Sequence, residues 1–291
     1  MPDIGVALST IVSGVLLGGM LALTALGLSI VLGVMRLVNL AHGDFVVVGA
    51  YVGLFFLKFT GVDPLLGLPV IALIVAALAI PLYRLLLAPL AERGPEAQMM
   101  TMFAVAIILE NAFVLGFSAD TRSIERGYAT LPLTLGPVTV PLIYVIGFAI
   151  AVALILTVHW LISRTRFGRD VRASAADAQA AATLGIDVKR VQMLTFGLGA
   201  ACAGVGGTLI GAAFQFGPSS GAAYLLNSLA IVVLGGLGNV LGTLFGGITL
   251  GFLQSVGGLT LGDGYRDLVG MALFLLVLAF RPDGFLARRR S

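Results

Sequence analysis

Apolar stretches of about 20 residues follow one another almost without a break along this chain, and that pattern leaves few folds open. A helix that crosses a bilayer needs about 20 mostly apolar residues. Such stretches fall at about 5–34, 43–60, 65–87, 97–118, 141–163, 191–214, 223–237, 240–258 and 266–280. The stretch at 223–237 is short for a span, and the LGGLGNVLG join after it reads either as a tight turn or as a broken helix. Charged residues make up 11% of the 291 positions and hydrophobic ones 59%, whereas a soluble domain carries about 25% charge. A soluble chain this apolar would expose aggregating patches. The expected fold class is all-α, a polytopic membrane bundle of about 8–9 transmembrane helices forming one domain over 1–291.

The placement of Lys and Arg orients such a bundle. Arg36, Arg84, Arg93, Arg164, Arg166, Arg169, Arg172, Lys189, Arg190, Arg281 and Arg288–Arg290 fall on one side, 13 of the 17 basic residues. Lys58, Arg122, Arg126 and Arg266 fall on the other. The richer side is expected to be cytoplasmic, with the C-terminus inside and the N-terminus outside. Met1-Pro2-Asp3 lacks the basic start of a signal peptide, so the first stretch reads as a retained span. The net charge of +3 does not indicate nucleic acid, because the basic residues cap apolar segments and form no basic face.

Several chemistries are missing. A phosphate-binding loop needs GxxxxGK[ST], and neither lysine, Lys58 or Lys189, follows a glycine. No HExxH or histidine cluster is present, and His42 and His159 are the only histidines. Cys202 is the only cysteine and reads as a small packing residue. No catalytic residue, metal site or cofactor is expected. Glycine is abundant, 39 residues, many within spans. Small residues let helix backbones approach closely in lipid.

One polar, basic island, about 164–190, interrupts the apolar pattern. Its ASAADAQAAATL stretch, Ala173–Leu184, is rich in the best helix former. Gly185 follows where a helix often ends on a left-handed residue. Two readings stand: a short helix that docks in a partner's groove, or a solvated loop whose arginines only set topology.

Four blocks then carry a resemblance. They are RLVNLAHGDFVVVGA at 36–50, GRDVRASAADAQAAATLGI at 168–186, LAIVVLGGLGNVLGTLFGGITLG at 229–251 and RPDGFL at 281–286. In this order and spacing they resemble the permease subunits of branched-chain amino-acid ABC importers, in particular the shorter of the two permeases such systems use. The resemblance implies an amino-acid substrate, a second homologous permease, two cytoplasmic ATP-binding subunits and an external substrate-binding protein, in a bacterial inner membrane. It also implies that Gly168, Arg169, Arg172, Ala173, Ala176, Asp177 and Gly185 belong to the segment that couples to the ATPase. Permeases for urea and short amides are similar, and a passive channel remains the rival from a different class.

Candidate path residues are Asn39, His42, Asp44, Glu110, Asn111 and Gln215. Polar groups at membrane depth are costly unless buried in protein or water-lined. Asn39, His42 and Asp44 read either as a broken-helix element on the path or as a cytoplasmic turn in which Asn39 caps the second helix. Glu110 lies inside a span; similar permeases often have Gln-Asn there, so it is a departure. It is read as meeting a substrate ammonium, pairing with a partner's Arg, or staying protonated. Gln215 is expected at the outer vestibule, and Arg122–Arg126 against the binding protein.

Overall fold

The computed structural model describes residues 4–280; the arginines at 281 and 288–290 and the RPDGFL block lie outside the described residues. The helices are α1 (Ile4–Met35), α2 (His42–Thr60), α3 (Leu68–Leu82), α4 (Pro95–Phe117), the single turn α5 (Gly127–Thr130), α6 (Leu142–Arg164), α7 (Arg166–Ala176), α8 (Ala178–Thr183), α9 (Val188–Ala213), α10 (Gly221–Gly235), α11 (Val240–Leu261) and α12 (Arg266–Phe280). Among the described residues, eight segments are long and apolar enough to cross a membrane. The third starts and ends later than the sequence suggests, at Leu68 and Ala91. A π-turn at Tyr83–Leu87 and a 3₁₀ segment at Ala88–Arg93 carry α3 onward.

The loop over 119–141 holds a structure that the apolar pattern does not announce. Strands β1 (Pro132–Leu135) and β2 (Val138–Pro141) form an antiparallel hairpin with Thr134 opposite Thr139. Gly136 turns it at φ 62°. The hairpin packs on the start of α1, where the Thr139 amide donates to Ser9 Oγ at 2.9 Å. It is the one sheet among the described residues.

α1 is the hub. It is buried almost continuously from Gly18 to Val31, and it lies against α9, α10 and α11 at once. This is a helix that is apolar all round, as a fully enclosed helix must be. The contacts with its neighbours are backbone to backbone. A Cβ on Gly18 would come within 2.3 Å of the Gly247 carbonyl oxygen, so the α1–α11 seam admits no side chain there. Small residues at such seams gain van der Waals contact that lipid cannot supply. α4, by contrast, is mostly exposed on its outward side. It is tied in by Phe113 and Phe117, which stack on Tyr51 of α2 at 4.8 and 4.9 Å between ring centroids.

The polar junction and the inner hairpin

After Met35 the chain does not turn over at the end of α1. Residues 36–41 are non-helical, starting from Arg36 at φ 51°. They run back along the helix they have just left. His42 Nε2 lies 2.8 Å from the main-chain oxygen of Thr24, near the middle of α1. A carbonyl only accepts, so this nitrogen carries the proton. The distance closes: eleven residues from Thr24 to Met35 span about 16 Å of helix, and six extended residues cover about 20 Å. Leu37, Asn39, Ala41, His42 and Asp44 are all buried. They therefore do not form an exposed turn. Asn39 does not cap α2 either; Ala41 holds the cap position, and Asn39 Oδ1 accepts from the Ala41 amide at 3.1 Å, which stiffens the re-entering strand instead.

A second interruption meets the first. Between α9 and α10 the chain runs extended through Gln215–Gly217 and then makes a short 3₁₀ turn, Pro218–Ser220. The starts of α2 and α10 cross in contact. A Cβ on Gly43 would lie 1.8 Å from the Gly221 carbonyl oxygen, and one on Gly221 would lie 2.3 Å from Asp44 Oδ1. The Asp44 carboxylate thus sits at the first turn of two helices, its own and α10. Helix N-termini favour negative charge, which offsets part of the cost of burying an acid there. Paired helix breaks near the midplane are the membrane-protein way of building a polar site inside a bundle.

The remaining path candidates divide. Glu110 is half-buried on α4, and its carboxylate is close enough to Asp44 for the two to interact electrostatically. Asn111 is exposed, and its Nδ2 donates back to the Ile107 oxygen at 2.8 Å, so it is not brought to the junction. Gln215 lies beside the 119–141 loop, where Thr121 Oγ1 donates to its Oε1 at 3.3 Å. That loop is bound to the second break by main-chain hydrogen bonds in both directions between Arg122 and Phe216, at 2.7 and 2.8 Å. Thr24 and Gly221 complete the junction and were not among the sequence candidates. The only cue was the glycine and proline clustering at 217–221.

At the other end the polar island is a two-helix hairpin, not the single helix expected over Ala173–Leu184. α7 starts on Thr165, whose Oγ1 accepts from the Gly168 amide at 3.1 Å. It stops at Asp177, whose extended backbone (φ −154°) breaks the alanine run. The same side chain then caps α8, accepting from the Gln179 and Ala180 amides at 2.9 and 3.0 Å. α8 ends where expected. Gly185 takes φ 85°, and the amides of Gly185 and Ile186 donate back to Ala182 and Ala181, a glycine-closed helix end. The hairpin is anchored in two ways. Arg172 donates from Nη1 to the Ile162 oxygen of α6, and Val171 packs in a small apolar cluster with Val34 of α1 and Val191 of α9. Its tip is bare: Ala176–Gly185 is exposed apart from Ala181, and Leu184 is 82% exposed. Arg169 and Arg172 flank this tip from an exposed side of α7, while Gly168 is buried against α6 and Ala173 is half-buried.

With that geometry in place, comparison with known proteins is informative. Residues 10–278 match the family described as branched-chain amino acid transport system / permease component. The chain is 30% identical to the high-affinity branched-chain amino acid transport system permease protein BraD of Pseudomonas aeruginosa, across 99% of this chain and 98% of that protein. It is 29% identical to the corresponding permease protein LivH of Escherichia coli, across 95% of this chain and 94% of that one. It is 27% identical to the permease protein LivM of Salmonella typhimurium, across 91% of this chain but 67% of that longer protein. No solved structure matches the chain.

Proposed function

The chain belongs to the branched-chain amino acid transport system permease family, and from that premise we propose that it is the shorter membrane subunit of an ATP-driven importer of branched-chain amino acids. It lies in the bacterial inner membrane as one membrane unit over 1–291, with α7 and α8 in the cytoplasm and the N-terminus outside. A second, homologous permease completes the path; the likeness to both LivH and LivM supports such a pairing. Two cytoplasmic ATP-binding subunits supply the work, and an external binding protein delivers the substrate to the β1–β2 side.

One observation carries this reading. Val171 of the exposed inner hairpin is clamped to Val34 at the end of α1, two residues before the re-entering strand that leads to Asn39, His42 and Asp44. A push on the hairpin tip therefore reaches the buried junction through packed side chains and six residues of strand. ATPase closure shifts α7–α8, α1's inner end follows, and the crossing of α2 over α10 opens or closes. Gly168, Arg169, Arg172, Ala173, Ala176, Asp177 and Gly185 form the coupling element. Asp44, flanked by Asn39 and His42 and faced by Glu110, is the polar point on the path that receives the substrate's ammonium; Gln215 lies at its outer entrance. Asn111 lines the path only if α4 turns.

The test is uptake in vesicles holding the permease pair, both ATPases and the binding protein. Leucine should accumulate only with ATP, leucine, isoleucine and valine should compete, and urea should not. Replacing 177–185 by a glycine-serine linker should abolish accumulation while leaving ATP binding. Downhill, saturable uptake by this chain alone without ATP would establish the passive channel instead. Charge reversal at Arg126 and Arg122 should weaken stimulation by the binding protein.

A further inference from the structure

The outer end of the bundle holds a cavity of about 300 Å³ whose walls combine Leu54 and Lys58 of α2 with Arg122, Glu125 and Gln215. That volume is at the lower end of small-molecule sites. Its charges are arranged in an unusual way. Lys58 is exposed and makes no hydrogen bond or ion pair among the described residues, and Glu125 has no cation within ion-pair distance; the one ion pair among the described residues, Arg266–Asp263, lies away from this lining. Glu125 Oε1 accepts only from Ser123 Oγ, at 3.4 Å.

Arg122 is held rigidly. Its Nη2 donates to the Phe117 oxygen at 2.6 Å, and its guanidinium lies 5.9 Å from the centre of the Phe117 ring. Arg122 Nε and the hydroxyl of Tyr51, one turn below Leu54, are both buried without a partner. The site therefore brings two cations and one carboxylate together in one lining, with Leu54 as its apolar residue. An inorganic anion would be repelled by Glu125 and a simple cation by Lys58 and Arg122. A zwitterion satisfies both, with its carboxylate on the basic side, its ammonium on Glu125 and an apolar side chain on Leu54. Charge-assisted hydrogen bonds of this kind are the strong ones.

We propose that this cavity is an outer waiting site for a zwitterionic amino acid with an apolar side chain, occupied between release from the binding protein and entry to the Asp44 junction. The proposal rests on the amino-acid reading of the transporter given above. The test uses the purified complete complex without its binding protein. Equilibrium retention of radiolabelled leucine is measured for the wild type, Lys58→Gln, Lys58→Arg and Glu125→Gln, and ATP-driven uptake is measured in parallel with the binding protein present. Both positions are exposed, so neutral variants should fold.

The wild type should bind leucine. Lys58→Gln and Glu125→Gln should each weaken binding about tenfold, the loss of one charged contact, and Lys58→Arg should restore it. Leucinamide, which lacks the carboxylate, should be indifferent to Lys58→Gln. No leucine retention by the wild type, or equal retention by all variants, overturns the waiting site even if uptake is normal. Unchanged leucine retention with weaker binding-protein affinity would make the surface a protein contact, which also overturns it. Absent ATP-driven leucine uptake by the wild type would instead sink the transporter reading.

Discussion

Replacing Gly43 by alanine tests the crossing on which the buried junction depends. The new Cβ would stand 1.8 Å from the Gly221 oxygen, 2.7 Å from its carbonyl carbon and 2.9 Å from the Leu225 nitrogen. All three are backbone atoms of α10, so no side chain can swing aside. To reach even a 3.0 Å contact, the starts of α2 and α10 must part by about 1.2 Å. Overpacking usually costs about 1–3 kcal/mol. With backbone on both sides and α10 held between α1 and α11, the upper value, about 3 kcal/mol, is expected. The shift also moves Asp44 away from the first turn of α10, so uptake should fall more than stability alone would dictate. Gly116→Ala is the control, since a Cβ there meets nothing within 4 Å and alanine favours a helix by up to about 1 kcal/mol. Thermal melting of the solubilised complex and ATP-driven leucine uptake are the assays. A Gly43→Ala protein that melts with the wild type would refute the close crossing and, with it, the account of how the junction is built.

Three further outcomes are expected. Glu110→Gln should change the rate or substrate preference of uptake, because it removes the carboxylate facing Asp44; identical uptake of leucine, valine and isoleucine would take Glu110 off the path. Asp177→Ala should remove the cap of α8, costing about 1 kcal/mol; amide exchange over 178–183 should quicken and ATP hydrolysis should uncouple from uptake, and unchanged exchange would contradict the observed cap. Outside the membrane, Tyr128 donates to Asp63 Oδ1 at 2.9 Å. Burial first, and then that hydrogen bond, holds its phenol well above the ordinary value of 10.0. Its contribution to loop stability is therefore full below about pH 10 and is lost as pH rises through the elevated value. Tyr128→Phe should destabilise the outer loop by about 1 kcal/mol at neutral pH and flatten its alkaline dependence, as read by proteolysis of 119–131; an unaltered alkaline profile would refute the link.

Much of the candidate site was open to inspection in the chain, but its arrangement was not. Asn39, His42 and Asp44 stand out as polar residues between two apolar runs, yet hydropathy reads the same whether such a segment turns in water or folds back along its helix. The decision was made by long-range contacts: Thr24 offering an acceptor to His42, and Gly221 leaving room for Gly43. Glu110 and Asn111 are neighbours in sequence, but successive helical residues point about 100° apart, so one approaches Asp44 and the other faces outward. The alanine run of the inner hairpin hid its break, since helix propensity is high on both sides of Asp177 and only the capping geometry of that aspartate divides it.

The amino-acid order alone determined that this chain spans a membrane as helices, roughly where each begins, and which family it resembles, because apolar length, charge placement and local motifs are one-dimensional properties. Tertiary structure decided how deep the polar residues lie, that two helix starts cross at Asp44, and that the inner hairpin grips α1. Those facts depend on which backbones can touch, and glycines far apart in the chain acquire that meaning only when the bundle brings them together.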